Sequence, residues 1–337
     1  MHIRVRIIAT GLALLLMASL VAAQKTLKVP SEFKTIQAAI NAAAATNTVL
    51  VASGTYLENI DFQGKAILVR GESGMLLTTI KAISTLAPVV TFAHGEGHDS
   101  VLEGFTITGG LKGGIRIFES RPHILRCRIT KNRADVSKDR AFGGGISILN
   151  ENKYSTLRVL IDRCEIGDNI CDSGAARYST GGGVGVVGRF ATTDIISCRI
   201  HGNICTANPN QYLYPVMSGG GVGADYYANC YVTNSLILWN RCAPKSAKHY
   251  WDCQGGGTAN INRLLHCTVF GNEIVKCSSF DAAGIYECSA VGSIIRQNKG
   301  GPEVKNGPGH TLTCCNVLVP CLISPVPDSG NLRFSNN

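Results

Sequence analysis

Arg128, Glu165, Arg199 and His201 have the types and spacing of a reactive set. The first three each follow a cysteine in a recurring hexapeptide, "CRITKN" at 127, "CEIGDN" at 164 and "CRIHGN" at 198, and His201 lies two positions after Arg199. If the hexapeptides stack as strands, these side chains form one outward column. Arginines can bind sugar carboxylates through paired donors, while Glu165 and His201 can move a proton. Alternating charges one strand apart also attract one another by about 0.2–1 kcal/mol per pair, so ion pairing alone explains the column. That structural explanation is the preferred one.

A second candidate set is aromatic. The segments 133–142, 170–180, 204–218, 241–254 and 273–281 lie between an asparagine and a glycine triplet. They carry Phe142, Tyr178, Tyr212, Tyr214, Tyr250, Trp251 and Phe280. Aromatic faces stack on sugar rings while their polar edges bond hydroxyls. Tyr178, Tyr212, Tyr214, Tyr250 and Trp251 are therefore the candidate ligand-binding residues. The competing reading folds the rings inward as small satellite cores. Asp162, Asp168, Asp172 and Asp194 are near in sequence, but their offsets from the repeat differ, so calcium has no obvious column. No metal site or other cofactor is expected, with calcium on these aspartates the alternative left open.

These residues depend on a repeat for their placement. The hexapeptides continue as "SLILWN", "CTVFGN" and "SIIRQN", ending at Asn132, Asn169, Asn203, Asn240, Asn272 and Asn298, with spacings of 37, 34, 37, 32 and 26. Such periods belong to a solenoid, whose units bury their faces by stacking. Three apolar columns run in step: Cys127/Ile129 and their equivalents, Ile124/Ile161/Ile195/Val232/Leu264, and Ile115/Ile146/Val184/Val222/Thr258/Ile285. Period-two alternation makes each a strand. The triplets at 143, 181, 219 and 255 mark the corner where the chain re-enters the stack after a loop of variable length. The asparagines mark the other end of that loop, where amides one rung apart can bond into a ladder.

Fourteen cysteines all lie beyond residue 126. Cys127, Cys164, Cys198 and Cys267 occupy an inward column, where parallel side chains at strand spacing suit thiols rather than disulfides. Cys171–Cys205 and Cys242–Cys253, in the loops, are the expected bridges. There is no CxxC pair, and adjacent Cys314 and Cys315 are poorly spaced for zinc.

The segments "FKTIQAAINAA" (33–43) and "VLVASGTYLENIDFQGKAILVRGESG" (49–74) resemble the start of pectin methylesterases and other pectate-lyase-like proteins. The stretch 89–110 and the repeats are similar to secreted bacterial right-handed β-helix proteins. The resemblance implies an all-β, single-stranded right-handed parallel β-helix whose open N-terminal end is capped by an α-helix. Here that helix falls near 31–45, with Ser31 as its cap and Ile36, Ala39, Ile40 and Ala43 facing the core. From the repeats the solenoid should have about eight or nine coils. The paired aspartates of pectin methylesterases, their "VDFIFG"-like strand, the calcium-binding carboxylates of pectate lyases and paired-aspartate glycosidase motifs have no match. If the chain is an enzyme, it is of polysaccharide lyase or glycoside hydrolase type without those motifs.

Arg4 and Arg6 precede an uncharged apolar run, Ile7 to Val21, and Val21-Ala22-Ala23 offers a small-residue exit. Residues 1–23 therefore read as a signal peptide rather than a membrane anchor, implying a secreted or cell-surface protein. The body is one domain, 24–300, followed by an irregular segment, 301–337. Lys and Arg number 32 against 23 acidic residues, a net charge of +9 spread without a basic stripe. That argues against nucleic acid and suits an acidic polymer. The expected function is recognition, with or without processing, of an extracellular polysaccharide or cell-surface glycan. The alternative is a non-catalytic envelope or adhesin-like protein that contacts other envelope proteins.

Overall fold

The computed structural model describes residues 24–135, 140–152, 157–174, 177–207, 216–225, 227–245, 252–275, 282–317 and 322–323. Residues 1–23, with the expected signal peptide, lie outside them, as do Tyr212, Tyr214, Tyr250, Trp251 and Phe280.

The chain winds into a right-handed parallel β-helix, the hand that strand twist favours for parallel crossovers. Each turn contributes one strand to each of three all-parallel sheets. Among the described residues the first sheet has eleven strands, from Thr26–Val29 to Leu312–Thr313. The second and third have ten each, from Gly54–Leu57 to Asn316–Val317 and from Ile60–Asp61 to Leu322–Ile323. The stack is thus longer than eight or nine coils and continues past residue 300. The early coils escape a motif count because they join the second and third sheets without a long insertion or the glycine triplet. Among the described residues no helix is long and apolar enough to cross a membrane.

A seven-residue helix, Ile36–Ala42, closes the N-terminal end, burying Ile36, Ala39 and Ile40. Its cap is Thr35, whose hydroxyl accepts the Ala38 N–H at 3.1 Å, and not Ser31. The chain around Ser31 is instead in a turn, with the Glu32 and Phe33 N–H groups donating to the Lys28 carbonyl.

The three apolar columns form one buried core. Ile115, Ile146, Val184, Val222, Thr258 and Ile285 are in direct register, each fully buried. The asparagines form a continuous ladder beside them. Asn203 Nδ2 donates to Asn240 Oδ1 at 2.9 Å and to the Ile166 carbonyl at 2.9 Å, while its Oδ1 accepts from Asn169 N and Nδ2, both at 3.0 Å. Two donors and two acceptor sites are used, so these amides have no capacity left for a ligand. The ladder ends on Glu303, which accepts from Asn298 N and Nδ2. Burial pushes the Glu303 carboxyl above the usual carboxylate range, despite those bonds from Asn298.

The glycines run in step with the ladder for steric reasons. Gly181 has φ +72°, a left-handed corner. A Cβ on Gly183 would stand 2.9 Å from Asn203 Nδ2 and 2.8 Å from the Gly221 carbonyl oxygen. Successive coils repeat this contact, as at Gly221 with Asn240.

The variable segments between asparagine and triplet form a flange. Their outgoing arms pair into a five-stranded parallel sheet (Arg133–Asp135, Ile170–Asp172, Ile204–Thr206, Arg241–Cys242, Glu273–Ile274). Their returning arms pair into a four-stranded one (Arg140–Phe142, Tyr178–Thr180, Val216–Ser218, Asp252–Gln254). Cys205, Ala207, Met217, Cys242, Cys253, Ile274 and Ala283 pack together as its own small core. The returning arms lie over the outward face of the third sheet, where Ser147, Gly185, Gly223 and Ala259 align. A Cβ on Gly185 would come 2.5 Å from the Thr180 carbonyl oxygen, so only small residues let the flange approach.

The expected loop disulfides are not formed. Cys171 and Cys205 are both free and buried, in register on adjacent coils, with their sulfurs 3.3 and 3.2 Å from Ser179 Oγ. They face the same restriction as the inward column: neighbours in a parallel sheet hold their side chains parallel, at a spacing wider than a disulfide accepts. Cys253 is disulfide-bonded, but Cys242 is free, so that pairing also fails.

Candidate functional site

The second sheet places Arg128, Glu165 and Arg199 in direct register, with Thr130, Gly167 and His201 aligned two residues on. Arg128 Nε lies 3.3 Å from Glu165 Oε2, and His201 Nε2 lies 3.0 Å from Glu165 Oε1. The imidazole rests over Gly167, where a Cβ would meet its Cε1 at 2.5 Å. Burial pushes the Glu165 carboxyl up, but the His201 hydrogen bond and the Arg128 charge, with smaller contributions from the His201 and Arg199 charges, outweigh it. The carboxyl therefore stays below the usual carboxylate range. A carboxylate so held is ionised at neutral pH and has no proton to donate. Arg128, Glu165 and His201 are brought together chiefly to satisfy one another. Arg199 stays exposed in a shallow depression of about 370 Å³ beside Arg163 and Leu236.

The four nearby aspartates are dispersed. Asp172 is buried in the flange and pairs with Arg133 and with Lys245 Nζ at 2.6 Å. Asp162 pairs with Arg163 Nε at 2.7 Å, Asp194 pairs with Arg158, and Asp168 packs against Gly202.

A cleft of about 710 Å³ lies where the returning arms of the flange meet the turns leaving the third sheet. Tyr178, Val216 and Asp252 come from the flange, Phe190 and Arg189 from one such turn, and Asp225 and Tyr227 from the next. Tyr227 is 69% exposed, and Tyr178 is half-buried with Arg140 and Arg177 guanidinium carbons each 5.2 Å from its ring centre. Among the described residues none of Arg140, Arg177 and Arg189 has a carboxylate within ion-pair distance. The wall is polar and internally bonded: Gln254 Oε1 accepts from Ser218 Oγ at 2.9 Å and from Asn260 Nδ2 at 3.2 Å, and Gln254 Nε2 donates to Asp252 Oδ2 at 3.1 Å. Asp225 is spent on the backbone, its oxygens accepting the Gly188, Tyr227 and Ala228 N–H groups.

Of the five aromatics expected to bind ligand, Tyr178 lines this cleft; Tyr212, Tyr214, Tyr250 and Trp251 lie outside the described residues. The sequence reading missed Phe190, Tyr227 and Arg189 because it searched only the segments before each triplet. Their signal is present after it, in "GGGVGVVGRF" (181–190) and "GGGVGADYYA" (219–228), where an aromatic returns at nearly the same offset.

No protein-family model matches the chain, and no curated protein matches it in sequence. Among solved structures, a pectin methylesterase from carrot matches over 86% of this chain and 88% of that one, at 12% identity and a TM-score of 0.41. Neither value supports carrying a residue's role across. The assignment as a parallel β-helix rests on the all-parallel sheets themselves.

Proposed function

We propose that this is an exported polysaccharide-recognition protein whose ligand lies in the cleft between flange and third sheet. The observation that carries the reading is the company Tyr227 and Phe190 keep. Exposed Tyr227 and half-buried Phe190 and Tyr178 share one concave surface with arginines that, among the described residues, have no carboxylate partner, and with amides and carboxylates already fixed by their neighbours. Rings supply faces for sugars, fixed polar groups supply orientation, and the concavity limits ligand entropy. The flange strands stack from coil to coil along the solenoid axis at strand spacing, so the cleft suits an extended chain rather than a single small molecule. Processing is a weaker reading, because Glu165 and Asp225 are committed to internal partners.

The test is retention of the purified chain on neutral and acidic polysaccharides, with ultraviolet and reducing-end assays for product. Tyr227→Ala should weaken retention by about twofold to tenfold, the value of one exposed aromatic contact. Retention indifferent to Tyr227→Ala and Tyr178→Ala would reject the cleft. A second reading, an envelope protein that contacts other proteins, is favoured by Leu236, Trp239 and Ile294, which are 43%, 52% and 45% exposed along the second sheet. A blank across a broad glycan array would favour it.

A further inference from the structure

Away from the cleft, three metal-ligating side chains meet at the early coils of the third sheet. Asp61 ends the strand Ile60–Asp61, while His94 and Glu96 follow the strand Val90–Phe92, which pairs with it one coil on. Phe62 and Phe92, with ring centres 4.2 Å apart, hold the two turns in place from the core side. One oxygen of Asp61, one ring nitrogen of His94 and one oxygen of Glu96 all lie within 4.8 Å of one another. His94 Nε2 stands 3.9 Å from Asp61 Oδ2, too far for a hydrogen bond.

The bonding around these groups leaves one ligand position on each. Glu96 is 1% exposed. Its Oε1 accepts the Gly64 N–H at 2.9 Å, and its Oε2 accepts the His94 N–H at 2.9 Å and Ser120 Oγ at 2.7 Å. Asp61 Oδ1 accepts the Gln63 N–H at 2.7 Å. Glu96 Oε1 accepts one hydrogen bond and Asp61 Oδ2 none among the described residues, so both carboxylates keep lone pairs close to the His94 ring. Among the described residues no lysine or arginine pairs with either carboxylate, so two negative charges, one buried, converge with only a histidine opposite. A buried carboxylate in that position is stabilised by a cation.

We propose that Asp61, His94 and Glu96 bind a divalent first-row transition ion, with zinc favoured by the mixed nitrogen and oxygen donors. Zinc holds imidazole nitrogen and carboxylate oxygen at about 2.0–2.2 Å, which sets its ligand atoms roughly 3.3–3.6 Å apart. The present spacing is within about 1.5 Å of that geometry, and His94 and Asp61, with side chains 49% and 36% exposed, can close the gap by rotation. The same exposure leaves an entry path and open coordination positions for water. Calcium fits less well, since it takes six to eight oxygens and no imidazole. The backbone and Ser120 bonds to the carboxylates are the outer-shell contacts that orient metal ligands. In the sequence the site shows only as "HGEGH" at 94–98, with its third ligand about one coil earlier. It revises the expectation that the chain has no metal site, and it is independent of the glycan cleft.

The experiment uses the full purified chain, stripped with chelator and titrated with zinc chloride by calorimetry, with cobalt substitution as a spectroscopic readout. The proposal expects a site at Asp61, His94 and Glu96 whose affinity falls at least tenfold in both His94→Ala and Asp61→Asn. Both side chains are half-exposed, and far-ultraviolet circular dichroism checks that the fold is kept. His98→Ala, whose ring instead stands 5.2 Å from that of His123, should leave the site unchanged. Zinc binding that is absent, or that persists unchanged in His94→Ala, overturns the proposal. Calcium binding that displaces zinc mole for mole overturns the choice of ion.

Discussion

Replacing Asn203 by alanine should cost about 4 kcal/mol, near the top of what a single substitution does. The figure follows from what the side chain leaves behind. The Asn169 backbone N–H loses its acceptor, which for a buried donor costs about 1–3 kcal/mol. Asn169 Nδ2, Asn240 Oδ1 and the Ile166 carbonyl each lose one further bond, about 0.5–1.5 kcal/mol apiece. Asn203 is fully buried at the middle of the ladder, so water does not reach these groups without opening a coil. The assay is urea unfolding of wild type and variant followed by circular dichroism, with hydrogen exchange to localise the loss. Exchange should quicken first at Asn169 and Ile204 and their neighbours, because solenoid coils contact only adjacent coils. Asn41→Ala, which removes only an exposed bond from Gln37, should change stability by no more than about 0.5 kcal/mol. A loss below about 1 kcal/mol at Asn203 would mean that the ladder follows from the fold without stabilising it, and the reasoning would be wrong.

Gly183→Ala should destabilise by about 1–3 kcal/mol, since its Cβ meets both a backbone oxygen and the ladder amide, whereas Gly97→Ala, with open space around it, should be near neutral in the same urea assay. Combining Gly183→Ala with Asn203→Ala should cost less than the two losses added, because the second change removes one of the clashing partners. The Glu303 carboxyl is raised in the folded state, so its contribution to stability is full below the unfolded value near pH 4.3 and is lost as pH rises through the folded value. Glu303→Gln keeps an acceptor for Asn298, so its unfolding midpoint should fall less than that of wild type between pH 4 and 8. Burial pushes the Cys127 thiol up to about 12, and Cys171 and Cys205 are raised well above the ordinary thiol value. Alkylation of the native protein read by mass spectrometry should therefore mark exposed Cys314 long before these three, which should react only on unfolding.

The parts of the fold legible in the sequence are those that every coil repeats. Ile115, Ile146, Val184 and Val222 recur at matched offsets because each must fill the same place in the core, and Asn132 to Asn298 recur because each bonds to the next. The flange was legible only as insertions. Its strands are two or three residues long, too short for an alternation to register, and their lengths vary from coil to coil. The unformed Cys171–Cys205 bridge has the same origin. Once the flange is itself a parallel sheet, two cysteines in register are neighbours but not partners. Thr35 and Ser31 are both good caps by type, and only the turn at Lys28 decides between them. Phe190 and Tyr227 do recur at nearly the same offset after successive triplets, but the cleft that joins their turns to strands of the flange is a juxtaposition no local pattern encodes.

The small residues of the third sheet link the repeat to the site. A solenoid gains nothing for its core by placing glycine at an outward strand position, where Gly185 and Gly223 weaken their strands. They are needed because the returning arm occupies that face, with the Thr180 and Ser218 carbonyl oxygens 2.5 and 2.3 Å from where a side chain would begin. The glycines therefore let the flange fold down on the sheet instead of projecting into solvent. That brings Tyr178 and Asp252 alongside Phe190, Asp225 and Tyr227 and closes one side of the cleft. The ladder holds the coils in register from the far end of the same insertion, with all its hydrogen bonds used internally. Rigid support on one side and variable-length insertion on the other leave the flange free to differ in sequence while the stack stays fixed. For this reason the proposed recognition site is the flange cleft and not the charged column, where Arg128, Glu165 and His201 are already one another's partners.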